Sequence, residues 1–262
     1  MIPGLVSASL LRNASGGAGP HAAAFLARTS GLDATHTNAY INFINGLDTF
    51  NLFAKMDSVK MYFTQDSATA LLNLVSTNYG STIINTPVFT ADRGFTSGTN
   101  GGINDNFDPI TATSPIYAQN SAHCSVFSVT DPGESSIAIF GSISSVETEI
   151  YPRYTDGNAY FRCNSSNIAG VVNGSPIGHF ISNRPNSTTV EGYIAGARVL
   201  NNTGAASGVP ADHGFSFGAG ISGPLVSPHQ LGATTIGGGL TTTDAANLYS
   251  LVRAFATAVG VP

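Results

Sequence analysis

Hydrophobic positions along the chain change their spacing once, near Asn78-Tyr-Gly80. Before that point the spacing is helical. Tyr40, Phe43, Ile44 and Leu47 recur at intervals of three and four, which places them on one stripe of an α-helix. Asp33 stands where a carboxylate caps the first free amides of such a helix, and Gly46 and Asp48 mark its end. Residues 21–28, His-Ala-Ala-Ala-Phe-Leu-Ala-Arg, favour a shorter helix before it. Leu52, Phe53 and Met56 add an apolar turn, and Ser58–Phe63 reads as a short strand. Asp66 is expected to cap a third helix carrying Leu71, Leu72, Leu74 and Val75.

After Gly80 the pattern becomes short β-rich runs roughly every 8–12 residues, separated by Gly, Asn, Asp and Pro. Strands are expected near Ser81–Ala91, Ala122–Val129, Ser136–Phe140, Val146–Tyr154, Ala159–Asn164, Gly178–Asn183, Thr188–Leu200, His213–Phe217 and Ala233–Ile236. Asn183-Arg-Pro-Asn-Ser187 has the chemistry of a hairpin tip. Even spacing without intervening helices predicts a mainly β fold, an antiparallel β-sandwich or jelly roll, and not βαβ units. Thr241-Thr-Thr-Asp244 opens a final helix whose Leu248, Leu251, Val252, Phe255 and Val259 share one face. That face needs a sheet or groove to cover. The expected organisation is a Gly-rich flexible arm over residues 1–20, a small mainly helical unit over 21–78, and a sandwich with its C-terminal helix over 79–262.

Composition narrows the function classes. Charged residues are 10% of the 262, against a usual ~25%, and 28 Ser, 26 Thr and 21 Asn take their place. Such a surface stays soluble through hydroxyls and amides. The net charge is −5, with only Lys55 and Lys60 as lysines and eight scattered arginines. Nucleic acid and anionic membranes are therefore not expected as partners. No apolar run is long enough for a membrane span, and Met1–Leu11 makes a poor signal peptide. Cys124 and Cys163 lie in strand-like runs, as buried free thiols or as a pair.

Four strings in order carry a family resemblance. They are Phe89-Thr-Ala-Asp-Arg-Gly-Phe95, Gln119-Asn-Ser-Ala-His-Cys-Ser-Val126, Ile150-Tyr-Pro-Arg153, and the helix Leu240–Gly260 after Ile236-Gly-Gly-Gly239. Together they resemble a concanavalin A-like (laminin-G-like) jelly-roll domain of tailed-bacteriophage structural proteins, over roughly residues 30–260. The stretch from Ala54-Lys-Met-Asp-Ser-Val-Lys60 to Leu74 resembles the segment preceding that domain. The resemblance implies a non-enzymatic virion protein, a tail fibre or spike or a capsid decoration. Its partners would be other virion proteins and, through symmetric assembly, further copies of itself. It transfers no catalytic residues and no cofactor.

The residues offer several chemistries of their own. Glu147 and Glu149 are two of the four glutamates; at i and i+2 of a strand they share a face, about 7 Å apart. A carboxylate pair at that range suits acid/base work on a glycosidic bond, which makes a polysaccharide depolymerase one alternative. The further glutamate of concanavalin-like glucanases is missing after Glu149, and the chain has no tryptophan to stack a sugar. Tyr117, Tyr151, Tyr154, Tyr160 and Tyr193 are recognition material, with Tyr151 and Tyr154 closest to the glutamates in sequence. With Glu147 and Glu149, these two form the candidate site of the other alternative, a module that binds a host-surface glycan.

Four more signals are expected to be structural. Gly214-Phe-Ser-Phe-Gly218 matches a nucleophile elbow, but no helix follows, and the order His229 then Asp244 reverses that of hydrolases. Gly218-Ala-Gly-Ile-Ser-Gly223 matches a phosphate-loop string with prolines where its helix should start. Asp105, Asn106 and Asp108 would suit Ca²⁺ in kind but not in spacing. His123 and Cys124 are adjacent in a strand and so face opposite ways.

Overall fold

The computed structural model describes residues 17–98, 101–142, 146–210, 215–217 and 227–262. Most of the Gly-rich arm and the whole Gly218–Gly223 string lie outside them.

Helix α1 (Pro20–Leu26) and helix α2 (Ala34–Thr49) open the described chain. The expected cap is present: Asp33 Oδ1 accepts from His36 N at 2.8 Å. Tyr40, Phe43, Ile44 and Leu47 are all buried on one stripe. A 3-10 turn at Phe53–Lys55 leads into strand β1 (Met56–Met61). Asp66 also caps as expected, but helix α3 ends at Ala70 (Ser67–Ala70). The reason lies in Asn73. Its Oδ1 accepts from Val59 N, its Nδ2 donates to Asp57 O, and Leu74 N donates to Val59 O. Residues 73–74 thus line the free edge of β1, which holds them out of the helix.

Fourteen more strands follow. They are β2 (Thr82–Ile84), β3 (Val88–Thr90), β4 (Gly94–Thr96), β5 (Gly102–Asn104), β6 (Ala122–Ser128), β7 (Phe140–Ser142), β8 (Glu147–Tyr151), β9 (Asn158–Ser165), β10 (Ala169–Val172), β11 (Gly178–Asn186), β12 (Thr189–Ile194), β13 (Ala197–Thr203), β14 (Ser216–Phe217) and β15 (Gln230–Gly237). They form two antiparallel sheets. One runs β13-β12-β11-β6-β15-β4-β3, with β1 also paired to β15; the other runs β10-β9-β8-β7-β14-β5-β2. The antiparallel β-sandwich read from the spacing is what the chain forms.

Boundaries moved where local signals competed. The strand expected at Ser136–Phe140 is shifted to Phe140–Ser142. The long run Thr188–Leu200 folds back on itself, because Ala195 and Gly196 both take positive φ, 50° and 74°, and make a two-residue hairpin turn. The earlier hairpin turns at Ser187-Thr188, flanked by the pair Asn186–Thr189, rather than at Pro185. Strands β4, β5 and β10 were not expected.

Between the sheets sits one core, built from Phe95, Ile103, Cys124, Val126, Phe140, Ile150, Phe161, Phe180, Leu231 and Ile236 among others. A second core fills the other side of the larger sheet. There Phe127, Ile181, Tyr193 and Ala233 meet α1, α2 and helix α4 (Thr242–Ala258). Leu248, Leu251, Val252 and Phe255 of α4 are buried there, as their spacing required. Burying each is worth about 1.5–3 kcal/mol. Thr241 and Asp244 close a reciprocal capping box, and Lys55 pairs with Asp244 at 2.5 Å. Gly46 lets α2 approach closely, since a β-carbon there would lie 2.3 Å from Leu251 Cδ2. The helical segment and the larger sheet therefore share both a core and a strand, β1. Among the described residues no helix is long and apolar enough to cross a membrane.

Candidate functional site

Among the described residues no helix packs on the outer face of the smaller sheet at β8 and β9. On β8 and β9, Ile150, Ala159, Phe161 and Cys163 point into the sandwich core. Alternation then turns Glu147, Glu149 and Tyr151 of β8 outward, together with Asn158, Tyr160 and Arg162 of β9. Register sets Glu149 opposite Arg162, Tyr151 opposite Tyr160, and Tyr160 opposite Gly170 of β10.

Arg162 is held between the two glutamates. Its Nη1 lies 3.0 Å from Glu149 Oε1 and also pairs with Glu147. Tyr151 OH donates to Glu149 Oε2 at 2.9 Å. Glu149 is only 2% exposed. Burial pushes its carboxyl up to about 7, opposed by the Tyr151 hydrogen bond. Arg162, itself lowered by burial, favours the ionised carboxylate from 3.0 Å away.

Three tyrosine rings follow one another around this cluster. Tyr151 and Tyr154 meet edge-to-face with centroids 5.5 Å apart, and Tyr154 and Tyr160 do so at 5.6 Å. All three are half-buried. The turn between β8 and β9 positions Tyr154 through Tyr154 N to Asn158 O (2.7 Å) and Gly157 N to Tyr154 O (2.9 Å). Gly157 takes φ 80° there. Tyr160 OH donates to Asp156 Oδ2 at 2.7 Å. The Tyr160 ring occupies the space over Gly170, where a β-carbon would come within 2.4 Å of its Cε1.

The four residues expected as a site, Glu147, Glu149, Tyr151 and Tyr154, are thus brought together. Arg162, Tyr160, Asp156 and Gly170 complete the face. Tyr160 was among the recognition tyrosines, but nothing in the string ties Arg162 or Gly170 to Glu149, since strand register makes those connections. Chemically the face offers aromatic area with hydroxyl tips beside carboxylate acceptors. Acid/base cleavage of a glycoside needs one carboxyl free at the leaving oxygen and a second free for attack or for water. Both carboxylates here are engaged by one guanidinium.

The remaining candidates are spent on structure. Tyr117 is buried, with its hydroxyl 2.8 Å from Thr148 Oγ1 and 2.5 Å from Asn164 Oδ1. Tyr193 is buried and donates to Glu191 Oε2 at 2.6 Å. Asp105 lies in the sandwich, accepting from Ser58 Oγ at 2.7 Å and from Lys60 Nζ at 3.2 Å. Asp108 caps its own turn through Ile110 N and Thr111 Oγ1, and Asn106 bonds Gly80 O. These three residues do not converge, and no group of three metal-ligating side chains occurs among the described residues. His123 faces the helices and bonds Gly238 O at 2.6 Å, while Cys124 faces the other sheet. Cys124 and Cys163 are both free thiols. Ser216 of the elbow string lies on β14, as a strand residue; Gly214 and Gly218 lie outside the described residues.

No protein-family model matches the chain, and no curated protein matches it. Solved structures do. Domain 4 of AbnA, a GH43 extracellular arabinanase from Geobacillus stearothermophilus solved with arabinotriose, aligns with TM-score 0.53 at 15% identity, over 74% of this chain and 98% of that one. The binding domain of Paraclostridial Mosquitocidal Protein 1 aligns with TM-score 0.53 at 10% identity, over 75% of this chain and 52% of that one. The receptor binding domain of botulinum neurotoxin C/D mosaic serotype gives TM-score 0.52 at 14% identity, over 76% and 51%. What they share with this chain is the β-sandwich fold. The match to each toxin domain spans about half of that domain's length.

Proposed function

We propose that this chain is a non-enzymatic binding module of a bacteriophage particle, whose tyrosine face recognises a glycan on the host surface. The observation that carries the binding role is the face itself. Tyr151, Tyr154 and Tyr160 form one half-buried aromatic surface, ringed by Glu149, Arg162 and Asp156, on the side of the sandwich where no described helix packs. Sugars stack their C–H faces on such rings and donate hydroxyls to such carboxylates. The arabinanase domain in complex with arabinotriose and the binding domains of the two toxins lend support, as sandwiches of this type that bind. The virion role is supported by the phage-type strings from Phe89 to Gly260. In this reading α1, α2 and α4 face the particle and sister copies, and the tyrosine face points away. The tie of Arg162 to both glutamates favours binding over cleavage.

Two measurements test it. A glycan array probed with the folded chain should give hits that disappear in Tyr160→Ala and Tyr151→Phe/Tyr154→Ala variants with unchanged melting. Protein analysis of purified particles should find the chain in them. An empty array defeats the glycan role, and absence from particles defeats the virion role.

A further inference from the structure

The charge around the tyrosines narrows the class of sugar. We infer that this face takes oligosaccharides free of acidic groups and rejects those bearing carboxylate or sulfate, with Gly170 as the residue that seats the Tyr160 ring for contact. The inference rests on the glycan-binding reading above.

Five carboxylates lie around this cluster: Glu147, Glu149 and Asp156 are bonded to the tyrosines or to Arg162, and Glu134 and Asp131 lie beside the neighbouring residues Gly157 and Arg153. Glu147 and Glu149 hold Arg162, and Tyr151 donates to Glu149. Asp156 accepts from Tyr160 at 2.7 Å. In the same turn Glu134 Oε1 comes within 4.0 Å of where a Gly157 β-carbon would be. Asp131 lies 3.5 Å from Arg153, the neighbour of Tyr154. Against these five stand two cations, Arg153 and Arg162. Arg162 is divided between two carboxylates; Arg153 is taken up by Asp131 and by Gly174 O at 3.1 Å. The formal balance is therefore −3, and each guanidinium is already paired. An acidic group stacked on the rings would sit within a Debye length, about 8–10 Å, of Glu147, Glu149 and Asp156, with both of these guanidiniums already paired. A sugar with hydroxyls alone meets no such penalty, and its hydroxyls find an acceptor in the exposed carboxylate of Asp156. The ring that would carry the stacking depends on a missing side chain. Gly170 is exposed on an edge strand and its φ is not in the left-handed region, so space rather than backbone freedom keeps it glycine.

The test is an array pairing neutral glycans with acidic derivatives of the same core, probed with the full chain at low and high ionic strength. Hits should fall on the neutral members, with the acidic partners bound at least about tenfold more weakly at low salt and the gap narrowing at high salt. Asp156→Asn should narrow the gap at low salt as well. Gly170→Val, which suits a strand, should remove the neutral hits without lowering the melting temperature. Acidic members bound as well as or better than neutral ones would overturn the inference while leaving a glycan-binding face. A folded chain with no hits of either kind would overturn the glycan reading and this inference together.

Discussion

The two outer faces of the sandwich are built from the same alternating strands and have opposite fates. On the larger sheet, outward positions such as Phe127, Ile181, Tyr193 and Ala233 are covered by α1, α2 and α4 and form a second core. Its polar outward positions are covered too. His123, Thr235, Ser125 and His179 form a buried chain with contacts of 3.1, 2.6 and 3.0 Å. On the smaller sheet, the outward positions of β8 and β9 hold Glu147, Glu149, Tyr151, Tyr160 and Arg162, with no helix above them among the described residues. One face contributes to stability, and the other is left free for contact. Substitutions should therefore separate cleanly into those that unfold the chain and those that change only what it binds.

The strongest test lies inside. Lys60 and Asp105 are fully buried and join the two sheets at 3.2 Å, with Ser58 as a third member. Lys60→Ala should cost about 3–5 kcal/mol in denaturant unfolding, since it strands a buried carboxylate. Replacing both partners with apolar residues should recover most of that. On the covered face, Phe255→Ala should cost a similar amount, about 3–5 kcal/mol, by leaving a cavity beside Tyr40 and Phe43. Truncation after Gly239 should leave the sheet insoluble; a soluble, folded product would break the comparison at its base.

Acid should act through the same covered face and the sandwich edge. Burial lowers His123 and His229 to about 4 and His179 to about 3. The unfolded chain takes up protons below about 6.5 that these folded side chains refuse, so stability falls as pH drops from there toward 4. Glu149, raised to about 7, works the other way between about 4.5 and 7. Three against one leaves a net loss on the order of 3–4 kcal/mol at pH 5, visible as a lower melting temperature than at pH 7.5.

Smaller still is the clamp at His36, whose Nδ1 lies 2.8 Å from Asp33 and Nε2 2.6 Å from Asp92. Burial alone would lower its pKa, but the bonds from Asp92 and Asp33 outweigh that and raise it. Its contribution is thus complete below about 6.5 and is lost as pH rises through the raised value. Asp92→Asn should cost about 1 kcal/mol at pH 6 and less at pH 8. Least of all, Tyr160→Ala on the open face should move stability by under about 0.5 kcal/mol while abolishing binding.

What the string revealed was what neighbours in sequence decide. The stripe of α2, the Asp33 and Asp66 caps and the Thr241–Asp244 box are all set within four residues of themselves. Alternation likewise placed β6, β8, β9 and β11. Strands β4, β5 and β10, of three or four residues with glycines in each, carry too little pattern to detect. The end of α3 depended on Asn73 bonding a strand 14 residues away in sequence. At the site, the glutamates and tyrosines of one strand and turn were legible. Arg162 and Gly170 join them only through the register of β8, β9 and β10, which no local rule supplies.

The interior position of Lys60 also governs how the molecule can be handled. The chain has two lysines; one is sealed between the sheets, and the other, Lys55, is 34% exposed beside the capping box of α4. Amine-directed coupling of the folded protein to a bead, dye or sensor chip therefore has one side-chain target, on the helical side. Copies attached through Lys55 would be held by their covered face and present the tyrosines to solution in a common orientation.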